Sequence, residues 1–163
     1  MDKRQVEALA TLEAETTLPG LLHAATRELV AIVDGVACAI SRLVGDVLIQ
    51  VAEYATDGRT LVLGHGYLIS DFPLTESALR EGEPRLASVL DPQPDPREAV
   101  LLAEMELDSL LMLPLFSPTG PWGLAELYVN ARRFGEDDVA RARPLATAFG
   151  ERLATLSAPA SAR

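Results

Sequence analysis

Two charged residues interrupt apolar strand-like runs in this chain, and any chemistry would start from them. Arg42 lies near the end of one run, 36–43, and Glu126 lies inside another, 122–129. Side chains alternate across a strand with a period of two. Cys38, Ile40 and Arg42 therefore share one face of the first run, with Ala37, Ala39 and Ser41 opposite. In the second run Leu124, Glu126 and Tyr128 share a face, with Ala125, Leu127 and Val129 behind them. The small apolar sets suit close packing under helices, so both charged sets are expected on the other side. A charge taken out of water is costly unless it is paired. Arg42 and Glu126 are accordingly expected on one face, within pairing distance. They are read either as a structural ion pair, as two independent surface charges, or as the holder of a polar ligand group. The irregular middle of the chain adds Tyr67, Asp71, Phe72 and Met105. With Tyr128 these either line a cavity or fill it as core, because apolar pockets and apolar cores have similar composition.

Other chemistries find little support. Cys38 is the single cysteine and sits in an Ala-rich strand, which reads as a core residue and leaves no partner for thiol–disulfide turnover. His23 and His65 have no second ligand at zinc-like spacing, and no metal site is expected. Gly64-His65-Gly66 lacks the third glycine of a dinucleotide fingerprint, and no Ser–His–Asp, His-Glu-x-x-His or P-loop pattern occurs. A formal net charge of −10, with Lys3 the only lysine, argues against a nucleic-acid groove and against anionic membrane surfaces. No apolar run reaches the roughly 18 residues of a membrane helix, and the first residues lack a signal-peptide core. The lone cysteine suits a reducing compartment. The expectation is a cytoplasmic, non-catalytic protein. The residues identify no cofactor.

The elements that must position these side chains follow from local signals. Asp2 and Gln5 form a capping-box pattern before an Ala-, Leu- and Glu-rich helix. Leu18, Leu22, Ala25, Leu29, Ile32 and Val33 repeat at helical spacing and end at Asp34-Gly35. The runs 36–43 and 47–55 form a hairpin about Gly45. Residues 61–70 read as a strand or an ordered loop. Thr75 is expected to cap a short helix ending at Gly82, 85–90 to form a strand, and Asp95-Pro96 to open a helix with Glu98 in its first turn. The runs 109–116 and 122–129 flank a Ser-Pro-Thr-Gly turn and form a second hairpin. The acidic residues Glu136, Asp137 and Asp138 then open a long helix. Strands and helices segregated in this way argue for α+β.

The order LLMLPL…GPWGLAELYV…RRFGEDD resembles the C-terminal half of a GAF domain, a small-molecule sensor and dimerisation fold. The pieces VACAISRLVGDVLIQVA and GYLISDFPLTESALREGEPRLASVLD resemble its first two strands and its pocket-covering segment, so the likeness spans about 19–156. It implies a central antiparallel sheet, with the terminal helices on one face and a pocket roofed by the middle segment on the other. It also implies that Arg42, Tyr67, Asp71, Phe72, Met105, Glu126 and Tyr128 are the ligand-side candidates. Of the cyclic-nucleotide signature some members carry, only Asn130 and Phe134-x3-Asp138 match. Ala131 and Val139 stand where Lys and Glu belong, and Phe134 and Asp138 are explained as a corner anchor and a helix-start acid. The loop cysteine next to histidine that attaches bilins in phytochrome-type members is absent.

On the last helix Val139, Ala142, Ala146, Phe149, Leu153 and Leu156 alternate by three and four, a heptad seam that suits a partner helix or the chain's own sheet. Pro144 falls inside it and is expected to kink or restart the helix. The chain divides into an N-terminal helix (1–17), a GAF-like domain (18–157) and a flexible tail (158–163). The expected function is a sensor in signal transduction that binds an unidentified small molecule and acts through homodimer helices. The alternative is a ligand-free dimerisation or protein-interaction module.

Overall fold

The computed structural model describes residues 1–61 and 65–157; the expected tail at 158–163 and Gly64 lie outside the described residues. Helix α1 (Lys3–Ala14) starts from a complete capping box, in which Asp2 accepts from the Gln5 N–H and the Gln5 side chain accepts from the Asp2 N–H. Thr17 caps α2 (Leu18–Val33), with Pro19 in its first turn, and Asp34 ends it in a left-handed conformation. The first hairpin joins β1 (Ala37–Val44) to β2 (Val47–Ala55). A short β3 (Gly66–Leu68), a 3-10 turn (Ile69–Asp71), α3 (Pro73–Glu81), β4 (Arg85–Ser88) and α4 (Pro96–Glu104) form the irregular middle. The hairpin β5 (Ser109–Ser117) and β6 (Gly120–Val129) leads into α5 (Glu136–Ser157). Thr75 is not the cap expected of it. Helix α3 begins two residues earlier at Pro73, and Thr75 is buried on its inner side.

The fold is α+β. Six antiparallel strands run in the order β3-β2-β1-β6-β5-β4. Helices α1, α2 and α5 cover one face of the sheet. The core there joins Leu21, Leu29 and Val33 to Cys38, Ile40, Leu111, Leu127, Phe149 and Leu153. Helices α3 and α4 lie on the other face, over Ala37, Ala39, Leu48, Leu110, Met112, Leu124 and Tyr128. Alpha5 crosses β5 closely enough that a Cβ at Gly150 would sit 2.0 Å from the Phe116 carbonyl oxygen.

Strand register decides which residues meet. Directly paired residues point to the same face of a sheet. Ala39 pairs with Glu126, whereas Arg42 pairs with Gly123. Arg42 is therefore on the helix face with Cys38 and Ile40, and Glu126 is on the cover face. The expected Arg42–Glu126 pair does not form. Its premise failed in β1: the helix layer takes the larger Cys38 and Ile40, and the small Ala37, Ala39 and Ser41 form the floor under the cover. Arg42 sits at the exposed end of β1, its guanidinium 5.1 Å from the Trp122 ring centre. A bulge at Val51 has a related effect. It lets Leu48 and Gln50 face the cover while Ala52 and Tyr54 pack with the helices.

The seam of α5 also points inward. Ala142, Ala146, Phe149 and Leu153 are buried within the single chain, and Val139 and Leu156 pack half-buried against the same core. These six residues hold α5 to its own sheet and helices, which corrects their reading as the surface offered to a partner helix. Alpha5 runs through Pro144 without interruption.

Candidate functional site

The cover face of the sheet carries polar groups that a plain core would exclude. Along one cross-strand row stand Glu53 of β2, Ala39 of β1, Glu126 of β6 and Met112 of β5. The row is low at its centre, because β1 contributes the small residues Ala37, Ala39 and Ser41 there. Tyr67 comes from β3 at the sheet edge and reaches across this floor. Its hydroxyl donates to Glu126 Oε1 at 2.8 Å, and the Tyr128 hydroxyl donates to Oε2 at 3.2 Å. The Phe72 ring meets Tyr67 edge-on at 5.1 Å. Of the expected ligand-side residues, Tyr67, Phe72, Glu126 and Tyr128 thus converge, and Met105 lies half-buried at the rim. Asp71 is not part of the cluster: it is exposed, and its backbone carbonyl accepts from Arg97. Arg42 is on the opposite face.

A second carboxylate arrives from above. Asp95 caps α4 by accepting from the Arg97 and Glu98 N–H groups, so Glu98 is not needed at the cap. It points inward, one turn from Leu102, and its Oε1 accepts from the Thr75 hydroxyl at 3.2 Å. Thr75 also touches Met112 Sδ at 3.7 Å, and Met112 is the cross-strand neighbour of Glu126. Glu98 is 3% exposed and Glu126 is 8% exposed. Burial, and then the charge of Glu126, push Glu98 up to about 8. Burial raises Glu126 as well, against the pull of the two phenol hydrogen bonds. Both tyrosines are raised, first by burial and next by the Glu126 charge.

Two further polar groups complete the floor. Ser41 is 1% exposed and Gln50 is 6% exposed, and they face each other across β1 and β2. Ser41 Oγ lies close enough to favour the charged form of the Tyr67 phenol, but neither Ser41 Oγ nor Gln50 Nε2 has a well-formed hydrogen bond among the described residues. Buried polar groups are normally paired, and an orphan costs about 1–3 kcal/mol. Sequence reasoning missed Glu98, Thr75, Ser41 and Gln50. The usable signals were the i,i+4 spacing of Glu98 and Leu102, which puts Glu98 on the apolar side of its helix, and the alternation of Gln50 with Leu48.

Among the described residues the helix face holds no comparable cluster. The Cys38 thiol is fully buried there, and burial raises its pKa. At the start of α5 the Asp138 carboxylate accepts from the Gly135 N–H at 2.8 Å, and from Arg132 at 3.0 Å and Arg141 at 2.8 Å. Those arginines also donate to the Val33 and Ile32 carbonyls at the end of α2. Asp138 and the buried Phe134 are corner-forming residues, as their spacing implied. Among the described residues, no group of three or more His, Cys, Asp or Glu side chains is placed to hold a metal ion. No helix among them is long and apolar enough to cross a membrane.

The polar floor lies in an α+β domain whose antiparallel sheet has a short-helix cover on one face and the terminal helices on the other. The GAF domain family model matches residues 17–153, and the chain belongs to that family. Its fold is similar to the phycocyanobilin-bound GAF domain from a cyanobacterial phytochrome, at 19% identity and a TM-score of 0.82, covering 96% of this chain and 97% of that one. It is also similar to the chromophore-binding domain of the Stigmatella aurantiaca bacteriophytochrome, at 17% identity and a TM-score of 0.78 over 93% of this chain. A bacteriophytochrome from the photosynthetic bacterium R. palustris matches 94% of the chain at 15% identity and a TM-score of 0.81. The matches span 59% of the former and 37% of the latter. Comparison with curated protein sequences gives no match.

Proposed function

We propose that this GAF domain is a non-catalytic sensor that binds a small molecule between the floor of β1 and the cover of β3, α3 and α4. The observation that carries this reading is the pair of buried groups without a hydrogen-bond partner among the described residues, Ser41 Oγ and Gln50 Nε2, beside the Glu126 carboxylate, which has phenol partners but no cation among them. A native core leaves few such groups without a reason, and a ligand would supply their partners. Tyr67, Phe72, Glu126 and Tyr128 are its contacts, with Met105 at the rim. The similarity in fold to a phycocyanobilin-bound GAF domain supports the binding of a small molecule by this one. With Cys38 buried on the far face, the ligand here is held without a covalent bond.

The site's occupancy is passed on through the layer of α1, α2 and α5 to a second copy of the chain, in cytoplasmic signal transduction. Because the α5 seam is internal, the partner surface is the outside of that layer, where Val6 and Leu18 are exposed. The alternative, a ligand-free dimerisation or interaction module, is favoured by one observation: Tyr67, Leu79, Leu102 and Leu107 already pack over the floor. Native mass spectrometry of the protein purified without added ligand separates the two. A stoichiometric small-molecule adduct that is lost on denaturation is expected. A ligand-free protein that also gives no thermal shift with a broad metabolite library would leave the module reading standing. Sedimentation equilibrium tests the dimer, and a monomer at high micromolar concentration overturns it.

A further inference from the structure

Neither Glu98 nor Glu126 takes part in an ion pair among the described residues. The nearby arginines are bonded elsewhere, and the charge of Arg97 acts on Glu98 without pairing with it. Arg85 is bonded to Ser77 and Glu81, and Arg97 lies over the Phe72 ring and holds the Asp71 carbonyl. A buried carboxylate without a cation is an electrostatic vacancy for positive charge. The two orphans add a second requirement. Gln50 Nε2 is a donor and needs an acceptor, while Ser41 Oγ can accept. The approach to the site has the same sign. A cleft of about 670 Å³ opens between the segment from Asp57 to Leu61 and the end of α4, and it carries Asp57, Glu104 and Glu106. Arg59, which also lines it, is paired with Asp57 at 2.8 Å. Leu61 and Met105 line this cleft and also pack against the cover-face core, so the cleft abuts the site. Acidic clefts of this kind concentrate cations.

Resting on the sensor reading, we infer that the ligand is an organic cation, an ammonium group with a neutral acceptor beside it on an apolar body. The ammonium is held by Glu126 and Glu98, with Ser41 accepting one of its hydrogens. The neighbouring hydroxyl or carbonyl accepts from Gln50. A hard metal ion fits the surroundings poorly. It asks for about six or more oxygen ligands, and this site is walled by Leu48, Leu102, Leu110 and Leu124. The same walls suit the hydrocarbon part of an amino alcohol or amino amide.

The test is an NMR titration of the 15N-labelled protein at pH 8 with three probes of one shape. These are leucinol (ammonium), 4-methylpentane-1,2-diol (neutral) and 2-hydroxy-4-methylpentanoate (anionic). Leucinol is expected to shift the amides of Ser41, Gln50 and Glu126 and to bind at least about tenfold more tightly than the diol. Glu126→Gln should bring the two probes to within about threefold of each other. If that variant fails to fold, Glu98→Gln serves the same comparison. Equal or tighter binding of the diol or the carboxylate at these amides overturns the cation inference and leaves the sensor reading intact. Saturable shifts at Glu98 and Glu126 with calcium chloride, and none with leucinol, also overturn it. If no probe moves these amides and native mass spectrometry finds no adduct, both readings fail.

Discussion

Gln5 of α1 donates from Nε2 to the Ala140 carbonyl of α5 at 3.4 Å and to the neighbouring Arg141 carbonyl at 3.3 Å. Ala140 is four residues before Pro144, whose ring nitrogen cannot return the usual helical hydrogen bond. The first helix thus supplies the donor that the last helix lacks. The same glutamine accepts from the Asp2 N–H, so the start of α1 and the second turn of α5 are fastened at one side chain. This accounts for an unbroken α5 and makes the two terminal helices one mechanical unit.

Gln5→Ala should lower stability by about 1 kcal/mol, since the bonds are long but buried. In a Pro144→Ala background the helix regains its own donor, and the same change should cost clearly less. Urea denaturation of the four proteins of the double-mutant cycle measures the difference. Equal losses in both backgrounds would show that Gln5 does not act through the proline.

Glu98 makes stability depend on pH. Its folded pKa, about 8, lies above the ordinary glutamate value, because burial disfavours the charged form. The folded state therefore holds the proton more tightly than the unfolded chain. The contribution is full below the unfolded value and is lost as pH rises from about 5 to 8. Stability should fall over that window by an amount on the order of a few kcal/mol. Glu98→Gln should flatten the fall and be more stable than the parent at pH 8. Chemical denaturation at pH 5, 6.5 and 8 checks both statements.

Asp138 is the keystone of the corner between β6 and α5, where it answers a backbone N–H and two arginines that in turn hold the end of α2. Asp138→Ala should destabilise by about 3 kcal/mol, from the lost cap and from two guanidinium groups left without their anion. Asp138→Asn keeps an acceptor and should recover part of that. A loss below about 1 kcal/mol for the alanine variant would mean that the arginines are held by the α2 carbonyls alone.

What the sequence disclosed was what is local. The Asp2–Gln5 box, the Asp34 stop, the Asp95-Pro96 start and both hairpins are written within a few neighbouring residues, and all are present. The faces of β1 were not legible. Alternation separates two sets of side chains but does not say which set meets the helices. That depends on the pairing of Ala39 with Glu126, a contact between residues far apart in the chain. Glu98 and Thr75 misled for a different reason. Both sit where caps are common, and only the packing of α3 and α4 onto Met112 turns them inward. The stripe of α5 was visible, but a seam for a partner and a seam for one's own core have the same spacing.

The last prediction concerns the bond from Tyr67 to Glu126. The Tyr67 phenol crosses from the edge strand β3 to β6 and supports the charged form of Glu126. Tyr67→Phe keeps the ring, its edge-on contact with Phe72 and its cover of the floor, and removes only the donor. With Glu126 ionised, a buried anion loses one of its two phenol partners, at a cost of about 2 kcal/mol. With Glu126 protonated, only a neutral hydrogen bond is lost, worth about 1 kcal/mol. The destabilisation should therefore be larger at pH 8 than at pH 5, and in a Glu126→Gln background it should become independent of pH. Thermal denaturation of the two single variants and the double variant at both pH values decides it. A Tyr67→Phe penalty of about 1 kcal/mol at both pH values would show that Glu126 holds its proton throughout, so that the site carries no negative charge there for a cation to meet, whereas about 2 kcal/mol at both would show that it is ionised throughout.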